Sequence, residues 1–249
     1  MERKFGWKRQ LPDYRDYTLS LSVNELTLPK LIDLRPEDTP RYDQLDLGSC
    51  TGNAWAGIDE FVKKKQQQPY FIPSRLFIYY NERVIEKTVK TDSGAELRDG
   101  IKTLVKQGVC PETEWPYITK KFKTKPSSKC YKDALKNEVI QYLAITPIAT
   151  QFKGCLAAGY PFVFGFSVYS SFMTDQVAQT GIMPMPNPTD KLEGGHAVMA
   201  LGYDDINKWY IIRNSWGESW GDKGYFYMPY DYMQNNNLCS DFWTIRSVE

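Results

Sequence analysis

The chain has 249 residues, 31 Lys and Arg against 30 Asp and Glu for a net charge of +1, and 42% hydrophobic residues. That length buries most apolar side chains without disulfide staples, and the composition excludes collagen-like, disordered and mini-protein classes. Balanced charge removes the electrostatic footprint of a dedicated nucleic-acid binder, and no apolar run of about 18 residues is present to cross a bilayer; neither nucleic acid nor membrane is expected as a partner.

Residues 1–27 are polar and aromatic, with a turn marked by Pro12, Asp13 and Asp16 and no helical period, and read as an extended arm. Their first residues are charged but lead into no apolar h-region, so no secretory signal is expected. From Gly48-Ser49-Cys50 onward, Trp55, Ile58, Phe61 and Val62 recur at helical spacing with Asp59, Glu60 and Lys63 to Lys65 interleaved, which predicts an amphipathic helix holding Cys50 in its first turn. Two more helices are expected over Leu76 to Val84 and over Leu97 to Val105, the second closed by Gly108. A lysine-rich stretch (Lys120, Lys121, Lys123, Lys125, Lys129) around Pro126 reads as a solvated loop. Beyond it the period changes. Phe162 to Val168, Ala197 to Leu201, Trp209 to Arg213 and Tyr225 to Met228 are strand-like runs, and Pro184, Pro186 and Pro188 form a connector that cannot sit inside a sheet. The expectation is a helical first half and a strand-rich second half.

Five cysteines (Cys50, Cys110, Cys130, Cys155, Cys239) occur without a CxxC pair, and the sole histidine, His196, has no cysteine near it in sequence. A zinc site needs closely spaced ligand pairs, so no metal and no cofactor are expected. An odd cysteine count excludes a full disulfide framework, although a bridge such as Cys110 with Cys130 stays open. The simpler setting is intracellular or virion-associated, where thiols stay reduced. A thiol at a helix N-terminus beside an imidazole is the arrangement that makes a sulfur nucleophile. Cys50 is placed for the first condition and His196 is the sole supply for the second. His196 follows Gly194-Gly195, and Asn214, eighteen residues on, closes an apolar strand and can accept the second imidazole N–H as an orienting group.

The segments Gln44-Leu45-Asp46-Leu47-Gly48-Ser49-Cys50, Gly195-His196-Ala197-Val198 and Asn214-Ser215-Trp216-Gly217, in this order, resemble the papain-like, cathepsin-type cysteine proteases. The resemblance covers residues 28–249 and implies an α+β, two-lobed fold: a helical lobe over about 37–136, a β-barrel-like lobe over about 137–249, and the active cleft between them. Residue by residue it implies Cys50 as nucleophile, His196 as acid and base, Asn214 as orienter, and Gln44 with the Cys50 backbone N–H as oxyanion hole. It further implies Trp216 as the indole shielding the His–Asn contact, Gly94 of Ser93-Gly94-Ala95 as a substrate-pairing edge, and Gly165 and Ala197 as the lining of a pocket for a bulky apolar side chain. Thr51 and Leu47 stand where the family usually has Trp and Cys, which is similar to a divergent bacterial or viral branch carrying Gly-Ser-Cys-Thr. The implied activity is a cysteine-type endopeptidase, monomeric, acting on peptide or protein substrates. Only 27 residues precede Leu28, too few for the family's helical propeptide, and Phe5, Trp7, Leu11, Tyr14 and Tyr17 are expected to lay this arm along the cleft.

Overall fold

The computed structural model describes residues 3–22 and 27–249; Met1, Glu2 and residues 23–26 of the expected arm lie outside the described residues. The first half supplies four α-helices: α1 (Cys50–Lys65), α2 (Arg75–Ile85), α3 (Leu97–Gln107) and α4 (Ser128–Ala134). Ser74 caps α2 by accepting the Phe77 N–H, and Gly108 ends α3 at φ 64°, a conformation open to glycine at little cost. Helix α1 departs from the expected half-exposed pattern. Every residue from Cys50 to Lys63 is buried, because α1 runs through the middle of the molecule between α2 and α3 on one side and the sheet on the other. Its polar residues therefore pair internally, Lys63 Nζ with Asp59 at 2.9 Å and Glu60 with the Tyr42 hydroxyl.

The lysine-rich stretch is only partly a loop. Lys129 sits on α4, where it bridges Glu114 and Asp133.

One eight-stranded sheet organises the rest. It comprises β1 (Thr18–Leu19), β2 (Leu31–Asp33), β3 (Val139–Ile145), β4 (Phe162–Tyr169), β5 (Leu192–Asp204), β6 (Trp209–Arg213), β7 (Tyr225–Pro229) and β8 (Cys239–Val248). The path runs β1-β3-β8-β4-β5-β6-β7, with β2 paired to β5 off that path. The expected barrel-like closure is thus replaced by an open sheet whose path ends at β1 and β7. Two of its strands, β1 and β2, come from before the helical half. The second half also carries helices the strand pattern did not suggest: α5 (Ala149–Ala157), α6 (Asp175–Thr180) and α7 (Tyr230–Met233).

Strand alternation divides the core. Phe162, Phe164, Phe166 and Val168 of β4 point into an aromatic core with Phe152, Phe172 and Phe242, while Val163 points to the opposite face, against the core built on α1 to α3. All five cysteines are free and buried, so the bridge between Cys110 and Cys130 that the sequence left open is not formed.

Candidate active site

Cys50 opens α1 where that helix meets β5. The preceding Ser49 does not cap the helix; its hydroxyl instead meets the Tyr117 hydroxyl at 2.6 Å, so the first-turn N–H groups keep no side-chain acceptor. The Thr51 and Ala197 backbones lie near the Cys50 sulfur, where they favour the thiolate.

His196 enters from β5, paired with Phe166 of β4, and is fully buried. One of its ring nitrogens, Nε2, lies 2.8 Å from Asn214 Oδ1. That oxygen also accepts the Ser215 N–H at 2.8 Å, which fixes the Asn214 amide with oxygen toward the imidazole. Nε2 therefore donates, and in the neutral ring Nδ1 keeps its lone pair; Nδ1 is buried with no hydrogen-bond partner. Trp216 stacks on the imidazole at 5.1 Å between centroids and 28° between planes, and Phe166 meets it edge-on at 5.7 Å. His196, Asn214 and Trp216 are all buried, with the indole lying over the imidazole.

Gln44 is fully buried beside this pair. Its Oε1 accepts the Ser215 hydroxyl at 2.7 Å, so its Nε2 is turned outward to donate to the carbonyls of Leu47 (2.9 Å) and Lys4 (3.0 Å). Ser215, which holds both amides in place, was not singled out from the sequence. Its adjacency to Asn214 was the available signal.

The Lys4 carbonyl belongs to the N-terminal arm, which runs through the cleft. The Ala95 N–H donates to the Gly6 carbonyl at 2.7 Å, the Lys8 N–H to the Ala95 carbonyl at 3.0 Å, and the Trp7 N–H to the Gly195 carbonyl at 2.9 Å. Trp7 and Ala95 pair in the parallel sense. The Gly6 N–H faces the Cys50 sulfur, and a Cβ on Gly6 would collide with the Gly48 carbonyl. Only glycine lets the arm come this close.

Gly94 has φ 69° and its N–H goes to the Tyr79 hydroxyl, so the pairing edge expected at Gly94 is formed by Ala95, with Gly94 giving clearance to the Gly6 carbonyl. Gly165 and Gly195 lie under the Trp7 ring, whose Nε1 donates to Asp241 Oδ2 at 2.9 Å, while Ala197 sits opposite Gly165 across the β4–β5 pair. Arg3, Lys4 and Lys8 are held by Asp43, Asp92 and Glu86. The expected aromatic contacts divide. Phe5 packs against His196 and Trp216, but Leu11, Tyr14 and Tyr17 are exposed, because that part of the arm is anchored through its backbone and Asp16, by Arg98 and by the Ala144 N–H.

Covered in this way, Cys50 and His196 do not hold the ion pair expected of an active thiol site. Burial pushes the Cys50 thiol up to about 12 and the His196 imidazole down to about 4, so both are neutral near pH 7.

The family of papain family cysteine proteases matches residues 28–242. An uncharacterized peptidase C1-like protein of Acanthamoeba polyphaga mimivirus is 41% identical over the whole chain and 88% of its own length. The crystal structure of xylellain, a cysteine protease from Xylella fastidiosa, superposes with a TM-score of 0.91 at 45% identity, over 98% of this chain and 96% of that one. A procathepsin B of Trypanosoma congolense shares the fold at TM-score 0.77 and 17% identity, over 98% of this chain and 86% of that one. With a Cys, His, Asn and Gln gathered at a helix–strand junction and this breadth of similarity, the chain belongs to the papain family of cysteine proteases, in its divergent bacterial and viral part.

Proposed function

We propose that the protein hydrolyses peptide bonds through a Cys50 thioester, and that residues 3–8 occupy the substrate track as an autoinhibitory segment. In the uncovered site His196 Nδ1 takes the Cys50 proton. The thiolate forms a bond to the peptide carbonyl carbon while Gln44 Nε2 and the Cys50 N–H stabilise the oxyanion. The imidazolium returns the proton to the leaving nitrogen as the C–N bond breaks. Water, deprotonated by His196, then attacks the thioester carbon and releases the acid and the thiol. Asn214 holds the imidazole tautomer throughout, and Trp216 keeps water off the bond between them.

The observation that carries this reading is the arm's carbonyl from Lys4 on Gln44 Nε2, with Gly6 and Lys8 paired to Ala95. The Gly6 backbone N–H lies toward the Cys50 sulfur, so the arm fills the space a substrate backbone would take. The pocket over Gly165 and Gly195, filled by an indole whose N–H reaches Asp241, fits a bulky substrate side chain with a donor at its tip. This refines the bulky apolar preference expected from Gly165 and Ala197.

The test leaves the chain whole. Gly6→Ala drives a methyl into the Gly48 carbonyl and should unseat the arm, raising turnover of a fluorogenic peptide library by about tenfold or more, the equivalent of ~1.4 kcal/mol of lost arm binding. Adding Cys50→Ala to that variant should abolish turnover. Unchanged turnover on Gly6→Ala would remove the autoinhibitory reading, and turnover surviving Cys50→Ala would remove the thioester mechanism.

A further inference from the structure

Behind the first turn of α1, on the side away from the cleft, lies a carboxyl group that the mechanism above does not use. Glu82 of α2 is fully buried, and its Oε2 accepts the Thr51 hydroxyl at 2.7 Å, one residue past Cys50. Its Oε1 has no partner. That oxygen faces Trp55 and Gly100 of α3, where a Cβ on Gly100 would press on both. The Trp55 indole N–H offers it nothing, being given to the Leu97 carbonyl at 3.0 Å.

No charged group makes a direct ion pair with Glu82; Arg83 favours its ionised form only from a distance, against the larger effect of burial. Arg83, next to it on α2, spends its guanidinium on the carbonyls of Tyr79, Val89, Thr91 and Phe122. Glu86 on the same helix and Asp99 on α3 are both acidic. Lys8 of the arm pairs with Glu86, and Lys102 lies 3.5 Å from Asp99. On α1 the facing groups are Thr51 and Cys50. A dry carboxyl with one hydrogen bond and acidic neighbours keeps its proton where an ordinary glutamic acid has lost it. Burial accordingly pushes Glu82 up to about 8, and its negative charge, once formed, opposes ionisation of the Cys50 thiol.

We propose that Glu82 is a positioning residue for the peptidase reaction: as a neutral acid bonded to Thr51 it steadies the turn that carries Cys50, and on losing its proton in mildly alkaline solution it turns the thiolate off. The inference rests on Cys50 being the nucleophile proposed above. It makes the alkaline limb of activity a property of two groups, the imidazole in the cleft and a carboxyl behind the sulfur. Glu82 is the part that can be removed without touching substrate.

The test compares full-length Gly6→Ala, in which the arm no longer shields Cys50, with the same chain carrying Glu82→Gln, which keeps the volume and the acceptor for Thr51 but cannot ionise. Iodoacetamide labelling of Cys50, mapped by mass, is followed from pH 5 to 10. The ratio of the Glu82→Gln rate to that of its Gly6→Ala parent should stay near one below pH 7 and climb to about tenfold by pH 9.5, the effect of roughly one pKa unit on the thiol. A flat ratio overturns the proposal, and a uniform fall at every pH would mark Glu82 as merely structural. If Glu82→Gln does not fold, infrared spectroscopy of the wild type decides. A protonated-carboxyl band that Thr51→Val shifts should be present at pH 6 and gone by pH 9; its absence at pH 6 overturns the proposal equally. Failure of the nucleophile assignment would instead appear as peptide turnover that survives Cys50→Ala.

Discussion

On one side of the cleft Cys50 is carried by a helix surrounded by buried polar groups: Asp59 with Lys63, Glu60 with Tyr42, Arg75 with Glu112, and Glu82 with Thr51. On the other side His196 is held between Trp216 and Phe166, above a core of Phe162, Phe164, Phe172 and Phe242. The helical wall orients its reactive atom through paired and protonated groups, so its geometry depends on charge state. The strand wall orients its ring by shape, and depends on volume. The two walls exchange a few specific polar contacts, among them Ser215 to Gln44 and Arg213 to Asp38, and elsewhere meet through packing of α1 on β5 and β8.

The sharpest way to break this contrast is to remove one reactive group from each wall in the Gly6→Ala background. His196→Ala should lower kcat/KM by roughly 10⁴-fold or more, and Gln44→Ala, which removes the proposed oxyanion donor but leaves the proposed nucleophile and base intact, by roughly 10²–10³-fold. Equal losses would mean that the strand wall's base and the helical wall's donor act as one unit. A second comparison concerns stability. Asp59→Asn leaves the buried Lys63 ammonium without its counter-ion and should cost about 3–5 kcal/mol. Phe164→Leu in the aromatic core, a change of volume alone, should cost about 1–2 kcal/mol. Urea unfolding measures both, and a reversed order would contradict the distinction.

The titratable groups of the two walls should appear as opposite slopes of stability with pH. Glu82 has a folded pKa raised above its unfolded value, so stability present below about pH 4.5 is lost as pH rises through about 8. His196 has its value lowered to about 4, so stability is lost as pH falls from about 6.5 through 4, on the order of 3 kcal/mol in all. Thermal melts across pH should show Glu82→Gln flattening the loss of stability as pH rises from about 4.5 to 8, and His196→Gln the loss as pH falls from about 6.5 to 4. If each variant flattens the same side, the walls do not titrate separately.

Much of this arrangement was legible in the sequence, for reasons the structure makes plain. The helical period around Trp55 and Phe61, the Gly108 stop and the run from Trp209 to Arg213 coincide with α1, α3 and β6, because in these segments local pattern and final burial agree. The grouping of Cys50, His196, Asn214 and Gln44 was legible only through the spacing of three motifs, since nothing local relates residues up to 170 positions apart. Other features were hidden. The polar residues of α1 read as a solvent face, since a sequence cannot tell a charge facing water from one facing a buried partner. Strands β3 and β8 carry polar residues at Gln141, Ser240 and Asp241 and break the apolar run that marks a strand. The neutrality of Cys50 and His196 depends on a covering segment more than forty positions away. Glu82 became visible only when α2 was packed on α1.

Strand β1 gives the covering arm a thermodynamic property of its own. Thr18–Leu19 stay paired to β3 even when residues 3–8 lift away, so the arm is a ligand on a leash, present at an effective concentration in the millimolar range. If the arm inhibits as proposed, a peptide substrate at micromolar levels would compete poorly with it, and added substrate alone would not switch the enzyme on. The exposed turn at Asp13–Asp16 is the weak link in that leash. A single cut there breaks no contact in the cleft, yet it converts an intramolecular equilibrium into a bimolecular one. Dilution would then do what competition could not, and the covering segment, once lost to solution, would not return to a dilute enzyme.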